Sequence, residues 1–294
     1  MERILYESDR LALCEFECPP DAPLWHELNT IERGPYVVYP GTSVIIRHVG
    51  RPAVLTNPNH VMFYTRGQRY TRRLHDPSGD HCIFVRMPAR LIAAVTGGRN
   101  ELPFAYGPSS ARTYLAQRVV LSHLRAGEPD PLFVDEILAL TIAKAIADAF
   151  AVHLRACSRR SATAAVHHEL VESAKELLTT RLTERLPLSY FARALYTSEF
   201  HLSRVFHNAT GFSLHQYRNQ LRLRRALESI ESGTVPLSSR AHELGFASHS
   251  HFTDAFRHAF GFPPSAVARW LTGRDHGDAR QILLPPGRAS RARA

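Results

Sequence analysis

Leu186-Pro-Leu-Ser-Tyr-Phe-Ala-Arg-Ala-Leu195 and Val235-Pro-Leu-Ser-Ser-Arg-Ala-His-Glu-Leu244 are two versions of one pattern. The residues after each version repeat as well: Ser198, Leu202, Phe206 and Gly211-Phe212 recur at Ser248, Phe252, Phe256 and Gly261-Phe262. The register slips by a single residue, where Tyr196-Thr197 becomes Gly245-Phe246-Ala247. Each copy reads as helix, tight turn, helix. Pro187 and Pro236 suit the first position of a helix, where no backbone N–H is needed, and Ser198 and Ser248 suit the N-cap of the next helix.

Helical periodicity of about 100° per residue sorts the second helix of each copy into two faces. Leu202, Val205, Phe206 and Ala209 share one side, as do Phe252, Ala255, Phe256 and Ala259, and these sides are expected to be core. Phe200, Ser203, Arg204 and His207 look the other way, with Ser250, Thr253, Asp254 and Arg257 as their counterparts. Two short helices whose second member shows a hydrogen-bonding face form the arrangement that lays a helix in the DNA major groove. There Arg pairs with guanine, Ser or Thr reaches most bases, and an exposed Phe packs on a thymine methyl.

Between the copies, Ser213 to Ser232 reads as one helix ended by Gly233. Arg218, Arg222 and Arg225 are spaced i, i+4, i+7 on it, so their guanidiniums share a stripe expected to neutralise phosphates. The N-cap hydroxyls of Ser198 and Ser248 are counted with these backbone contacts. A connector of about 20 residues spans roughly 30 Å, close to the separation of successive major grooves.

From about His167 to Leu271 the chain resembles the DNA-binding domain of the AraC/XylS family of bacterial transcription regulators. The resemblance is carried by Leu202-Ser-Arg-Val-Phe206 with Thr210-Gly-Phe-Ser213, by Leu244-Gly-Phe246, and by Ser250-His-Phe252, Ala255-Phe-Arg257 and Ala259-Phe-Gly261. It implies seven helices and two reading helices, with base contacts at Phe200, Ser203, Arg204, His249, Ser250 and Asp254. Three positions depart from the family pattern: Asp254, an acid facing phosphates unless it pairs with cytosine, Arg257 or His258; Arg240, where Phe191 supplies an apolar side chain in the first copy; and Tyr196, in place of the turn glycine found at Gly245.

A length of 294 residues accommodates two domains with cores of their own, and 44% apolar residues argue against disorder. The formal charge of +9 suits an anionic partner, although the Arg-rich tail from Arg274 to Ala294 supplies part of it. Uninterrupted apolar runs fall far short of the roughly 18 residues of a membrane span, and the N-terminus has no apolar signal core, so the expected location is cytoplasmic, without a membrane partner. Cys14, Cys18, Cys82 and Cys157 fit no disulfide ladder or zinc ribbon; they read as reduced structural thiols, with a redox- or metal-sensing role for Cys14, Cys18 and Cys82 as an alternative.

The first 90 residues read as strand after strand. Tyr36–Tyr39, Ser43–Val49, Ala53–Leu55, Val61–Tyr64 and His81–Arg86 are β-rich runs separated by turn residues, which suggests a small barrel or jelly roll able to enclose one small ligand. The region is similar in a general way to the cupin-type sensor half of many regulators of the same family. Trp25, Tyr36, Tyr39, Phe63, Tyr64 and Phe84 are candidate pocket or core aromatics. His60, His75 and His81 stand singly, without the clustered ligands of a metal-dependent cupin enzyme, so no metal, no cofactor and no catalytic residue is assigned. Past Met87 the pattern turns helical: Pro88–Thr96, Ser109–Ala126, and Leu132–Ala156, whose stripe Val134, Leu138, Ile142, Ala145, Ala149, Val152 needs a cover from its own subunit or a second copy.

The expected fold is α+β and multidomain: a β-barrel or jelly-roll, cupin-like sensor over residues 1–90, a helical dimerisation segment over 91–157, a linker at 158–163, an all-α double helix-turn-helix domain over 164–272, whose first helix Ala164–Arg181 buries Val166, Leu170, Ala174, Leu177 and Leu178, and a basic tail over 273–294. The expected function is a transcription factor that binds double-stranded DNA as a homodimer, responds to a small-molecule effector, and has RNA polymerase as a further partner. A metal-dependent cupin enzyme and a protein–protein adaptor are the rival classes.

Overall fold

The computed structural model describes residues 1–98, 102–127, 130–156, 161–231, 241–272 and 279–283. The N-terminal segment builds two antiparallel sheets from β1 Glu2–Glu7, β2 Ala12–Cys18, β3 Asn29–Thr30, β4 Tyr36–Pro40, β5 Val44–His48, β6 Val54–Thr56, β7 His60–Tyr64, β8 Arg69–Leu74, β9 Asp80–Arg86 and β10 Tyr106–Pro108. One sheet has the order β1-β2-β9-β4-β7-β10 and the other β3-β8-β5-β6. Alternation fixes which side faces in: Val44, Ile46, Tyr70 and Arg72 are buried, whereas Arg47, Arg69, Thr71 and Arg73 are exposed. Met62 and Tyr64 of the first sheet meet Val44, Ile46 and Tyr70 of the second in one cluster. The five runs read from the sequence correspond to β4, β5, β6, β7 and β9, each with its bounds shifted by a residue or two.

The helices are α1 Ala89–Thr96, α2 Ala111–Ala126, α3 Pro131–Ala156, α4 Ser161–Thr180, α5 Leu188–Ala194, α6 Glu199–Thr210, α7 Leu214–Glu231, α8 His249–Phe260, α9 Pro264–Leu271 and α10 Ala279–Leu283. Residues 241–243 are also helical. Expected features at Cys157, residues 158–160, Gly233, Pro236 and Arg240 lie outside the described residues. Ser161–Thr163, expected in the linker, form the first turn of α4. Along α4 the buried stripe is Val171, Ala174, Lys175 and Leu178, so Val166, 63% exposed, was wrongly assigned to the core.

Contacts group the chain into two units that do not follow sequence order: residues 1–109, 145–180 and 187–214 in the first, and residues 110–144, 181–186 and 215–294 in the second. In the first unit α4 packs on β6 and on α6. Edge strand β6 is covered there, because Glu172 of α4 accepts from the Leu55 backbone N–H at 2.6 Å and His168 contacts the Ala53 carbonyl at 2.7 Å, so an open row of strand groups is satisfied. In the second unit α2 packs against α8, α9 and α10. Its Arg118 and Arg125 pair with Glu231 of α7, and the Ser122 hydroxyl donates to the carbonyls of Trp270 and Leu271 at the end of α9.

The apolar stripe of α3 is covered within the chain: Val134, Leu138, Ile142, Ala145 and Ala149 are all buried. Phe133 stacks on His123 in the second unit, and Phe150 stacks edge-on against Phe104 in the first. Residues Pro131–Leu154 average a hydropathy of 1.7, long and apolar enough to cross a membrane by length and composition. Polar residues such as Asp135, Thr141 and Lys144 interrupt its apolar runs, and 39% of this stretch is buried.

His48 is buried in the sheet pair, with the Gln68 amide donating to its Nδ1 at 2.7 Å and its ring 4.6 Å from that of Tyr64. Burial, followed by the charge of Arg51, lowers its pKa to about 4, whereas in an unfolded chain it titrates near 6.5. Between those values the unfolded state holds the extra proton, so the contribution is complete above pH ~6.5 and is lost as pH falls toward ~4, up to about 3 kcal/mol. Urea midpoints at pH 7 and pH 4.5 are expected to differ less in His48→Phe than in the wild type; an unchanged difference would show that His48 is not the titrating group.

Candidate nucleic-acid interface and sensor cavity

Both reading helices begin in the same way. Ser198 Oγ accepts from the His201 N–H at 3.2 Å and Ser248 Oγ from the His251 N–H at 3.1 Å, which satisfies one orphan donor at each N-terminus. Behind α6, Leu202, Val205 and Phe206 are buried; behind α8, Phe252, Phe256 and Phe260 are. Ala209, Ala255 and Ala259, expected in the core, are half-buried. Phe200, Arg204 and His207 are exposed on α6 and Ser203 is half-buried, while His249, Ser250, Asp254 and Arg257 are exposed on α8. The Arg204 guanidinium lies 6.0 Å from the ring centre of Phe200, so the two present one combined surface.

Thr253 is the exception on α8. It is half-buried and its hydroxyl oxygen is turned inward, which removes that oxygen from the reading face. Among the described residues no ion pair joins Asp254 to Arg257 or His258, so its carboxylate remains presented on the surface.

The turn between helices needs a left-handed backbone in both copies. Gly245 has φ +82, and a Cβ there would collide with the Thr183 carbonyl and the Arg222 guanidinium. Tyr196 adopts the same region with φ 52 and avoids collision by lying 98% exposed. The departure from glycine in the first copy is thus accommodated by the turn itself.

The expected phosphate stripe is corrected by two of its three members. Arg218 and Arg222 are buried. Arg222 donates to the carbonyls of Leu182 at 2.7 Å, Glu184 at 2.9 Å and Gly245 at 3.2 Å, and Arg218 donates to those of Leu186 at 3.1 Å and Glu184 at 3.4 Å. Their guanidiniums tie residues 182–186 and the second turn to α7. Burial, then the charges of Arg218 and Arg185, brings the Arg222 pKa down to about 10, still protonated near neutral pH. Arg225 alone of the three is exposed.

Between the two sheets of the first unit lies a cavity of about 410 Å³. Of the aromatics read from the sequence, Tyr36, Tyr64 and Phe84 line it; Trp25, Tyr39 and Phe63 do not. Phe16, Tyr70, Arg72 and Asp80 are also on the wall, and no local pattern in the sequence marks them. Arg72 pairs with Asp80 at 2.9 Å, donates to the Tyr70 hydroxyl at 2.6 Å and sits 4.6 Å from the Phe16 ring centre.

Cys14 and Cys18 do share a face of β2, but four residues of strand separate them by about 13 Å. Burial raises the Cys14 thiol to about 11 and raises Cys18 and Cys82 as well, so all three are held as thiols rather than as the thiolates that bind metal or react. Among the described residues no group of three or more His, Cys, Asp or Glu side chains is placed to hold a metal ion.

Two helix hairpins, each with a capped second helix and an outward polar face, place the C-terminal part of the chain in the helix-turn-helix class. A family described as a helix-turn-helix domain matches residues 191–269. The HTH-type transcriptional regulator GlxA of Rhizobium meliloti is 31% identical over 105 residues, 35% of this chain and 32% of GlxA, so the match spans about a third of that relative. The multiple antibiotic resistance protein MarA of Salmonella typhimurium is 26% identical over 126 residues, 43% of this chain and 94% of MarA. A solved structure of ToxT from Vibrio cholerae O395 aligns over 90% of this chain and 100% of its own at 13% identity, with a TM-score of 0.35. The C-terminal part of the chain is thus an AraC-type helix-turn-helix domain, similar to the matching regions of the regulators GlxA and MarA.

Proposed function

We propose that this protein is a cytoplasmic transcription factor that binds double-stranded DNA sequence-selectively and alters transcription when a small molecule occupies the cavity between its two N-terminal sheets. The observation that carries the reading is the exposure of Phe200 with Arg204 on α6, and of Ser250 with Arg257 on α8, each opposite a buried apolar side. In this reading Phe200, Ser203, Arg204, His207, His249, Ser250, Asp254 and Arg257 meet base edges, and Arg225 meets phosphate. Ser198 and Ser248, whose hydroxyls accept from the His201 and His251 N–H groups, each keep a hydroxyl hydrogen that donates to phosphate. The effector acts by favouring one arrangement of a homodimer, which requires different affinity for the two arrangements, and RNA polymerase is the further partner. The reading requires no catalysis.

The test is a gel shift of genomic fragments with the full-length protein over a salt series. Selective retention of a few fragments is expected, with affinity falling as salt rises; a protein–protein adaptor would retain none selectively. Within a selected site, Arg204→Ala is expected to cost about 1–3 kcal/mol and to relax preference at one base position. An equal loss on all sequences would remove Arg204 from base reading.

A further inference from the structure

The cavity between the sheets has a wall chemistry that narrows what enters it, and the inference drawn from it rests on the reading of that cavity as the effector site. Its charged residues are Arg33 and Arg72 against Glu2, Glu32 and Asp80. Glu2, Glu32 and Arg33 are exposed at the surface, which leaves Arg72 and Asp80 as the buried pair. That pair is largely closed on itself: Arg72 donates through Nη1 to Asp80 and through Nη2 to the Tyr70 hydroxyl, Phe16 covers its guanidinium, and only the single Nε–H is left without a partner among the described residues. An entering carboxylate or phosphate would find the buried cation already neutralised and would sit beside Asp80, a like charge in a poorly solvated place. A sugar would need many hydrogen-bond partners, whereas the wall beyond its rings is mainly Leu24, Ile31, Val38, Val44, Ile46 and Met62, and of its uncharged polar side chains the Thr56 hydroxyl already donates to the Val44 carbonyl and the Asn29 amide to those of Leu24 and Glu27.

Besides that N–H, which also suits a neutral ligand oxygen, two hydroxyls are open. Tyr36 and Tyr64 both line the cavity, and neither hydroxyl has a hydrogen-bond partner among the described residues. Each can donate once and accept, so each suits a ligand oxygen. The rings of Phe16, Tyr64, Tyr70 and Phe84 suit offset or edge-on packing with a flat apolar body. We propose that the cavity binds an uncharged, mainly aromatic small molecule carrying one or two hydrogen-bonding oxygens, a phenol or an aryl ketone in kind, with the oxygen directed to Tyr36 or Tyr64. A volume of about 410 Å³ falls within the ordinary range for small-molecule pockets.

Isothermal titration of the full-length protein with 2-naphthol, 1-indanone, 2-naphthoate and glucose tests this. At least one of the two neutral aromatics is expected to bind saturably, about ten-fold or more tighter than 2-naphthoate, and glucose is expected not to bind. Tyr64→Phe or Tyr36→Phe is expected to weaken the neutral ligand about five-fold, the worth of one hydrogen bond. Val44→Trp, which fills the cavity, is expected to abolish binding, provided the variant keeps the wild-type circular dichroism spectrum. Tighter or equal binding of 2-naphthoate, binding of glucose in place of the aromatics, no binding of either neutral probe up to millimolar concentration, or full binding in both tyrosine variants would overturn the assignment. The same preparation is run in the gel shift. Selective DNA retention with failure of the aromatics removes the ligand class alone, whereas aromatic binding without selective retention removes the regulator reading and leaves the cavity chemistry.

Discussion

Arg222→Ala is expected to lower the stability of the protein by about 3–5 kcal/mol and to abolish DNA binding on every sequence together with the fold of the second unit. Arg222 is 4% exposed and supplies donors to three backbone carbonyls, those of Leu182, Glu184 and Gly245. Alanine takes the Arg222 donor from the buried carbonyls of Leu182 and Gly245, while that of Glu184 keeps Arg218, and an acceptor left buried without a donor costs about 1–3 kcal/mol. It also removes the plane that lies 5.9 Å from the Phe246 ring centre, so packing is lost with the hydrogen bonds. Arg225, one turn further along α7 and exposed, is the control. Arg225→Ala is expected to leave the melting temperature unchanged and to reduce the salt dependence of DNA binding by about one phosphate contact. Thermal melting of the two variants checks this, and an Arg222→Ala protein melting with the wild type would show that its guanidinium is not structural.

The second large effect lies where α2 meets α7. Glu231 accepts from Arg118 Nε at 2.5 Å, with a second bond to Arg118 Nη2, and is 3.2 Å from Arg125 Nη1, with only 8% of its side chain exposed. Glu231→Ala leaves Arg118, itself mostly buried, without its carboxylate. The expected loss is about 2–3 kcal/mol, somewhat less than for a fully buried pair because the Arg118 side chain keeps some contact with solvent. Replacing both partners by apolar residues, Glu231→Leu with Arg118→Met, is expected to recover most of it, since neither charge is then stranded. Chemical denaturation of the two single variants and the double variant reads the coupling; simple additivity would show that the two side chains do not act as a pair.

The faces of α6 and α8 were legible because a period of 3.6 residues and a serine cap leave marks within a dozen residues. Strand β8 was not: in Arg69-Tyr-Thr-Arg-Arg-Leu74 the inward position after Tyr70 is an arginine, so the alternation that betrays a strand is hidden, and the partner that makes a buried Arg72 tolerable, Asp80, lies on another strand. The same ambiguity misassigned Arg218 and Arg222. A basic stripe at helical spacing looks alike whether it meets phosphates or carbonyls, and the carbonyls that decide between them lie up to 40 residues away in sequence. The grouping of α2 with the C-terminal helices depends on contacts such as Arg118 to Glu231, 113 residues apart, which no local pattern records. Tyr196 was flagged by its place in the repeat, and its left-handed φ shows that the backbone geometry of the turn persisted where the residue changed.

Selection of bound duplexes from a random library, with titration of the selected sites by wild-type, Arg204→Ala and Ser250→Ala proteins, tests the reading faces most directly. A shared sequence is expected to emerge, with each variant losing discrimination at its own base positions while its affinity for unselected DNA stays near that of the wild type. Failure of any sequence to enrich, or a loss in both variants that is the same for selected and unselected DNA, would contradict base reading by α6 and α8.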